Sequence, residues 1–132
     1  MSREDFNSSS ILIRDIMVKA LITVNPTTTA HQISKMMEQG GIGAVLVKDS
    51  NNLVGIITDR DFATKIAANS LPFDTPAEKI MSSPLITINH DQPISDAAET
   101  MSTKKIRKLA VTDNGNIVGL VTSTDLVNQL AK

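Results

Sequence analysis

Two seven-residue segments hold the side chains of this chain best placed to do chemistry: Gly55-Ile-Ile-Thr-Asp-Arg-Asp61 and Gly119-Leu-Val-Thr-Ser-Thr-Asp125. In each, an apolar stretch ends at a threonine, Thr58 or Thr122, and an aspartate follows three residues later. If a strand gives way to a helix at the threonine, the free amides and positive dipole end of that helix suit an anion such as phosphate. The threonine adds a hydroxyl. Asp61 and Asp125 then sit in the first helical turn, where a carboxylate can accept both hydrogen bonds of a ribose cis-diol. Arg60 and Thr124 occupy the variable position just before each aspartate and can contribute. The same spacing is also a variant of the helix capping box, and capping and ligand binding can coexist.

A second cluster, Lys104, Lys105, Arg107 and Lys108, is basic in an otherwise balanced chain. It reads as a solvated face or as a phosphate-neutralising group, with Lys105 and Lys108 beside Arg107. Nucleic-acid contact is the weaker reading, since no aromatic stacking partner lies nearby. Catalysis finds no support. There is no nucleophile–base–orienter set and no Walker loop, and His31 and His90 are isolated from other metal-ligating residues. Asp49-Ser50-Asn51-Asn52 lacks the later Gly and Glu of a calcium loop and reads as a turn. Asp59 with Asp61 can join a magnesium ion carried by a bound nucleotide; Asp59 also suits the helix dipole. The expectation is a binding protein with no catalytic or metal residues.

The two seven-residue segments belong to a longer repeat. Shifted by 64 residues without a gap, Ile16–Ala68 lies on Ile80–Lys132 with 16 identities in 53 positions, where average composition gives roughly 3 or 4. Of the remaining 37 positions, 11 exchange one apolar residue for another.

Hydrophobic periodicity then supplies the elements that must position the motifs. A helical turn is expected at Ile13–Met17 and a short strand at Leu21–Val24, stopped by Asn25-Pro26. A helix follows with Thr28 as its cap and Gly40-Gly41 as its stop. Ala44–Val47 and Leu53–Thr58 read as a strand pair, followed by a helix over Asp59–Ala68. The second copy repeats the order: a turn at Ala77–Met81, a strand at Leu85–Ile88, and a helix from Pro93, expected at the first helical position, to Thr103. Strands at Lys108–Thr112 and Ile117–Thr122 and a helix at Ser123–Leu130 complete it. Each copy is β-α-β-β-α. Residues 1–10 read as a flexible arm, 11–68 as the first motif, 69–76 as a linker and 77–132 as the second motif.

Bulk properties narrow the class. A net charge of −1 gives no global attraction to nucleic acid or anionic membranes. No cysteine means no disulfide or thiolate chemistry. The apolar runs are too short to span a bilayer, and the polar start lacks a secretory apolar stretch. A cytoplasmic location is the expectation. With 41% apolar residues but no Trp or Tyr, the core must come from Ile, Leu, Val, Met and Ala.

The doubled β-α-β-β-α order and the paired Gly-h-h-Thr-x-x-Asp segments resemble the CBS (cystathionine β-synthase) domain family, specifically a tandem pair, or Bateman module, over residues 11–132. The resemblance implies an α+β fold of two CBS motifs packed as a pseudo-two-fold intramolecular pair, and association into a homodimer. It implies a regulatory, energy-sensing role, in which an adenosine-containing ligand (AMP, ADP, ATP, NAD or S-adenosylmethionine) binds in the cleft between motifs and signals to an unidentified protein partner. Carried over residue by residue, Thr58 and Thr122 contact phosphate or ribose, Asp61 and Asp125 hold ribose hydroxyls, and Arg107 binds phosphate. Gly43 stands at the position of Arg107 in the first copy, so the two sites are not equivalent. Adenine contacts are implied around Ile22–Val24, Ile86–Ile88, Ile56 and Leu120. The alternative is a ligand-free dimerisation scaffold whose Thr and Asp residues only cap helices.

Overall fold

The computed structural model of the chain describes residues 11–131, so the arm expected at residues 1–10 lies outside the described residues. The elements run α1 (Ile13–Ile16), β1 (Thr23–Val24), α2 (Ala30–Gly40), β2 (Ala44–Asp49), β3 (Asn52–Thr58) and α3 (Asp59–Asp61), the last continuing as a π-helical stretch Phe62–Ala67. They continue with α4 (Ala77–Ile80), β4 (Thr87–Asn89), α5 (Ile94–Lys104), β5 (Lys108–Asp113), β6 (Asn116–Thr122) and α6 (Ser123–Leu130). The class is α+β.

Each copy builds its own three-stranded sheet. β1 lies parallel to β2, which pairs antiparallel with β3; β4, β5 and β6 repeat this arrangement. The pairing register slips after Val47 in β2 and after Val111 in β5, positions that correspond in the repeat. Such bulges bend a strand locally, and their recurrence means the two sheets share one irregular geometry.

Two helix starts differ from the expectation. Thr29, not Thr28, caps α2: its hydroxyl accepts from Gln32 N at 3.2 Å while Gln32 returns a bond to Thr29 N at 2.9 Å. Thr28 instead accepts from Asn25 N and closes the turn around Pro26. Pro93 is the residue before α5, with extended ψ of 154°, and the helix begins at Ile94. At the other end of α2, Gly41 adopts φ 63°, the left-handed conformation that glycine takes without a Cβ penalty.

The compact units cross the repeat boundaries. One spans Ile22–Leu85; the other joins the described residues up to Leu21 with the described residues from Ile86 onward. Thus α1, which heads the first repeat in sequence, packs with β4–β6. Ile13 N donates to Gln92 O, Arg14 N to His90 O, and Val18 exchanges backbone bonds with Leu120. The corresponding α4 packs with β1–β3 through Ala77 N to Thr28 O, Glu78 N to Pro26 O, and a Ser82–Ile56 exchange. Each borrowed segment also fills a core. Ile13 is fully buried with Ile94, Leu109 and Val121, and Ala77 and Ile80 are fully buried with Ile33, Val45 and Ile57. Burying a side chain of this size contributes about 1.5–3 kcal/mol, so the lead segments are structural parts of these units.

Candidate ligand-binding site

In the Ile22–Leu85 unit, β3 ends at Thr58, whose extended backbone (φ −118°, ψ 167°) hands over to α3. The turn is fixed from the neighbouring strand, since Asp59 N donates to Gly43 O at 3.1 Å. Asp61 folds back onto the threonine. Its Oδ2 accepts from Thr58 N at 2.7 Å and from the Thr58 hydroxyl at 3.3 Å. Its Oδ1 lies 3.1 Å from the Lys65 ammonium, and the residue is 7% exposed. Asp59 Oδ1 accepts from Arg60 N. Arg60 is exposed, and its guanidinium has no partner among the described residues.

The other unit builds the same corner with different surroundings. β6 ends at Thr122 (φ −121°, ψ 163°), and Ser123 N donates to Arg107 O at 2.9 Å. Asp125 Oδ2 accepts from Thr122 N at 2.8 Å, and Asp125 N donates to the Thr122 hydroxyl at 3.2 Å. This is a complete capping box. Asp125 is half-buried, and among the described residues its Oδ1 has no partner. Thr124 is exposed.

The basic run reaches this corner from α5. Lys104 ends the helix, Lys105 turns the chain with φ 56° and ψ 46°, and Lys108 opens β5 opposite Thr122. Arg107, Lys104 and Lys105 are exposed, Lys108 is half-buried, and none of the four is ion-paired among the described residues. The fold therefore brings Arg107 and Lys108 beside the Thr122–Asp125 corner, with Lys105 at the preceding turn. Thr58, Arg60 and Asp61 form a separate corner. At that corner the place of Arg107 is taken by Gly43, and a Cβ there would stand 3.7 Å from the Asp59 carboxylate.

Sequence reading passed over Lys65. Its ammonium also donates to Ile80 O at 2.8 Å and to Ser82 Oγ at 3.4 Å. The signal was available in the Asp61/Lys65 pair at i,i+4 and in the residue 64 positions on, which is Gln129. His90 Nε2 lies 3.3 Å from Asp113 Oδ1, a contact that spacing alone did not suggest. Among the described residues no three His, Cys, Asp or Glu side chains converge as metal ligands, and no helix is long and apolar enough to cross a membrane.

The CBS domain model matches residues 13–68 and 77–132. This chain belongs to the CBS domain family. The CBS domain-containing protein YhcV of Bacillus subtilis (strain 168) is 34% identical over 120 residues, which cover 90% of this chain and 86% of that protein. Other curated relatives are longer, and the chain spans 62%, 29% and 39% of three of them. Among solved structures, an uncharacterized conserved protein from Pyrococcus horikoshii superposes with a TM-score of 0.88 at 31% identity, over 93% of this chain and 94% of that one. The CBS domain pair of protein MJ0100, solved in complex with 5′-methylthioadenosine and S-adenosyl-L-methionine, gives a TM-score of 0.81 at 31% identity, over 92% and 96% of the two chains. In this CBS pair both matched segments begin at corresponding residues, Ile13 and Ala77, in the two lead segments that the compact units exchange.

Proposed function

We propose that this CBS pair is a regulatory module that binds an adenosine-containing ligand and passes its occupancy to a protein partner through a change of conformation. The observation that carries the reading is the Thr122–Asp125 corner: one carboxylate oxygen is committed to the cap, the other is unpartnered, and Arg107 and Lys108 stand alongside. A free carboxylate oxygen can accept from a ribose hydroxyl, and unpaired cations stabilise phosphate oxygens through charge-assisted bonds. The adenosyl ligands in the MJ0100 CBS pair support the class of ligand. The basic cluster favours a phosphate-bearing member of that class, AMP, ADP, ATP or NAD, over the sulfonium of S-adenosylmethionine. Magnesium would enter only with a bound nucleotide. A homodimer is part of the same reading.

Calorimetric titration with AMP, ADP, ATP, NAD, S-adenosylmethionine and a guanine nucleotide control tests it. Saturable binding of an adenosyl ligand, weakened about tenfold or more (roughly 1.4 kcal/mol) by Asp125→Ala, is the expected result. Absence of binding for every ligand overturns it.

A scaffold reading has one observation in its favour: both Thr–Asp pairs hold helix starts by hydrogen bonds within the chain. On that reading no nucleotide raises the melting temperature, and Asp125→Ala costs only the stability of a lost cap, about 1 kcal/mol.

A further inference from the structure

Resting on the adenosyl reading above, we propose that the two CBS motifs have diverged into one open and one self-occupied site. Lys65 is the built-in occupant that closes the Asp61 corner, so the adenosyl ligand is taken at the Asp125 corner.

The case begins with the acceptor capacity of Asp61. Oδ2 already accepts two bonds from Thr58, and Oδ1 faces the Lys65 ammonium at 3.1 Å. An ammonium has three protons to donate, and Lys65 has three acceptors within reach: Asp61 Oδ1, Ile80 O and Ser82 Oγ. A ribose hydroxyl arriving at Asp61 would find three of the carboxylate's roughly four acceptor positions taken, and would have to share Oδ1 with the Lys65 ammonium or displace it. It would also have to enter a carboxylate environment that is 7% exposed.

The repeat supplies an internal control. Position 65 corresponds to Gln129 and position 82 to Val18. The cation and the hydroxyl that holds it are therefore both absent from the other motif. Gln129 makes no side-chain bond among the described residues, which leaves Asp125 Oδ1 without a partner. Charge nearby follows the same division. Arg107 and Lys108 flank Thr122, whereas Gly43 and Ala44 flank Thr58, with the Asp59 carboxylate beside Gly43. Arg60 remains an exposed cation at the Asp61 corner, but it does not relieve the engagement of the Asp61 oxygens. The helix that carries Lys65 also departs from its counterpart. Phe62–Ala67 is wound as a π-helix, while Ser123–Leu130 is a regular α-helix, and π-helical turns recur where a chain has been adapted at a functional position. Lys65 is thus a positioning residue: it holds Asp61 rather than touching ligand.

Calorimetric stoichiometry tests this, with AMP as the probe and ATP and S-adenosylmethionine run in parallel, on full-length protein whose folding is checked by its thermal transition. The wild type should take a single equivalent per chain, lost with Asp125→Ala and kept with Asp61→Ala. Lys65→Gln, the residue of the other motif, should open a second equivalent, and Lys65→Arg should keep the count at one. The reciprocal Gln129→Lys should weaken the original site by about tenfold or more. Two equivalents in the wild type, or no change of count in folded Lys65→Gln together with no loss in Gln129→Lys, overturns the proposal while leaving adenosyl binding intact. Wild-type protein that binds none of the three probes overturns both.

Discussion

Met81 occupies the space that a side chain on Gly55 would need. A Cβ built on that glycine would stand 2.6 Å from the methionine sulfur, 2.9 Å from its Cγ and 3.1 Å from its Cβ. Met17 meets Gly119 in the same way, at 2.7 Å from sulfur and 3.1 Å from Cγ. The first glycine of each Gly-h-h-Thr-x-x-Asp segment is therefore a packing requirement, set by the lead segment that the repeat boundary assigns to the other copy.

Gly55→Ala should cost about 1–3 kcal/mol, the usual range for overpacking a filled interior. Met81→Ala should recover part of that loss, because the two positions share one volume and residues in contact couple by about 0.5–3 kcal/mol. Met17→Ala should not rescue Gly55→Ala. A double-mutant cycle of chemical denaturation midpoints checks both statements; equal rescue by the two methionine changes would contradict the packing described.

The exchange of lead segments predicts where a core mutation is felt. Ile13 precedes β1 in sequence but is buried with Ile94, Leu109 and Val121. Ile13→Ala should destabilise by about 2–5 kcal/mol. Amide exchange should rise first in β4–β6, with β1–β3 affected less. Ile80→Ala should do the reverse. Preferential loss of protection in β1–β3 by Ile13→Ala would refute the assignment.

These relationships mark the limit of what the chain reveals before it is folded. Local elements were legible because their signals are local. Apolar runs, the Gly40-Gly41 stop and the threonine–aspartate spacing marked β2, β3, the end of α2 and the start of α6. The exchange of α1 and α4 was not, because a repeat reports which residues correspond and not which copy they pack against. Ile13 and Ala77 look the same in either arrangement. Caps shifted by a residue where Thr27, Thr28 and Thr29 offered adjacent hydroxyls, and only the geometry of the turn at Pro26 chose among them. Asp61 and Asp125 were legible as a pair; their different surroundings required knowing that Lys65, Ile80 and Ser82 meet.

The two aspartates should differ in stability as well. Asp125→Ala removes a cap and should cost about 1 kcal/mol. Asp61→Ala removes a cap and an ion pair whose lysine side chain is 36% exposed. With screening by solvent that pair adds up to about 1 kcal/mol, so a total of roughly 1–2 kcal/mol is expected. The excess should shrink in high salt, since ion pairs near the surface are screened. Thermal melts of both variants at low and high ionic strength measure it, and identical losses that do not respond to salt would count against a contributing Lys65–Asp61 pair.

Lys105 offers the sharpest separation of stability from binding. It follows the last residue of α5 at φ 56°, where the corresponding Gly41 turns the chain at φ 63° without a Cβ. A side chain in this region costs about 1–2 kcal/mol, and glycine returns about 0.4–1 kcal/mol of that advantage through the unfolded state. Lys105→Gly should therefore stabilise the fold by a few tenths to about 1 kcal/mol. The same change removes the cation at the turn that leads into Arg107 and Lys108. If Lys105 helps neutralise phosphate there, ATP affinity should fall by up to about fivefold, matching the 0.2–1 kcal/mol typical of an exposed charge pair, and the deficit should close as salt rises. A stabilised variant with weaker, less salt-sensitive ATP binding would mean that the chain keeps a strained lysine for its charge. A stabilised variant with unchanged binding would assign phosphate neutralisation to Arg107 and Lys108 alone.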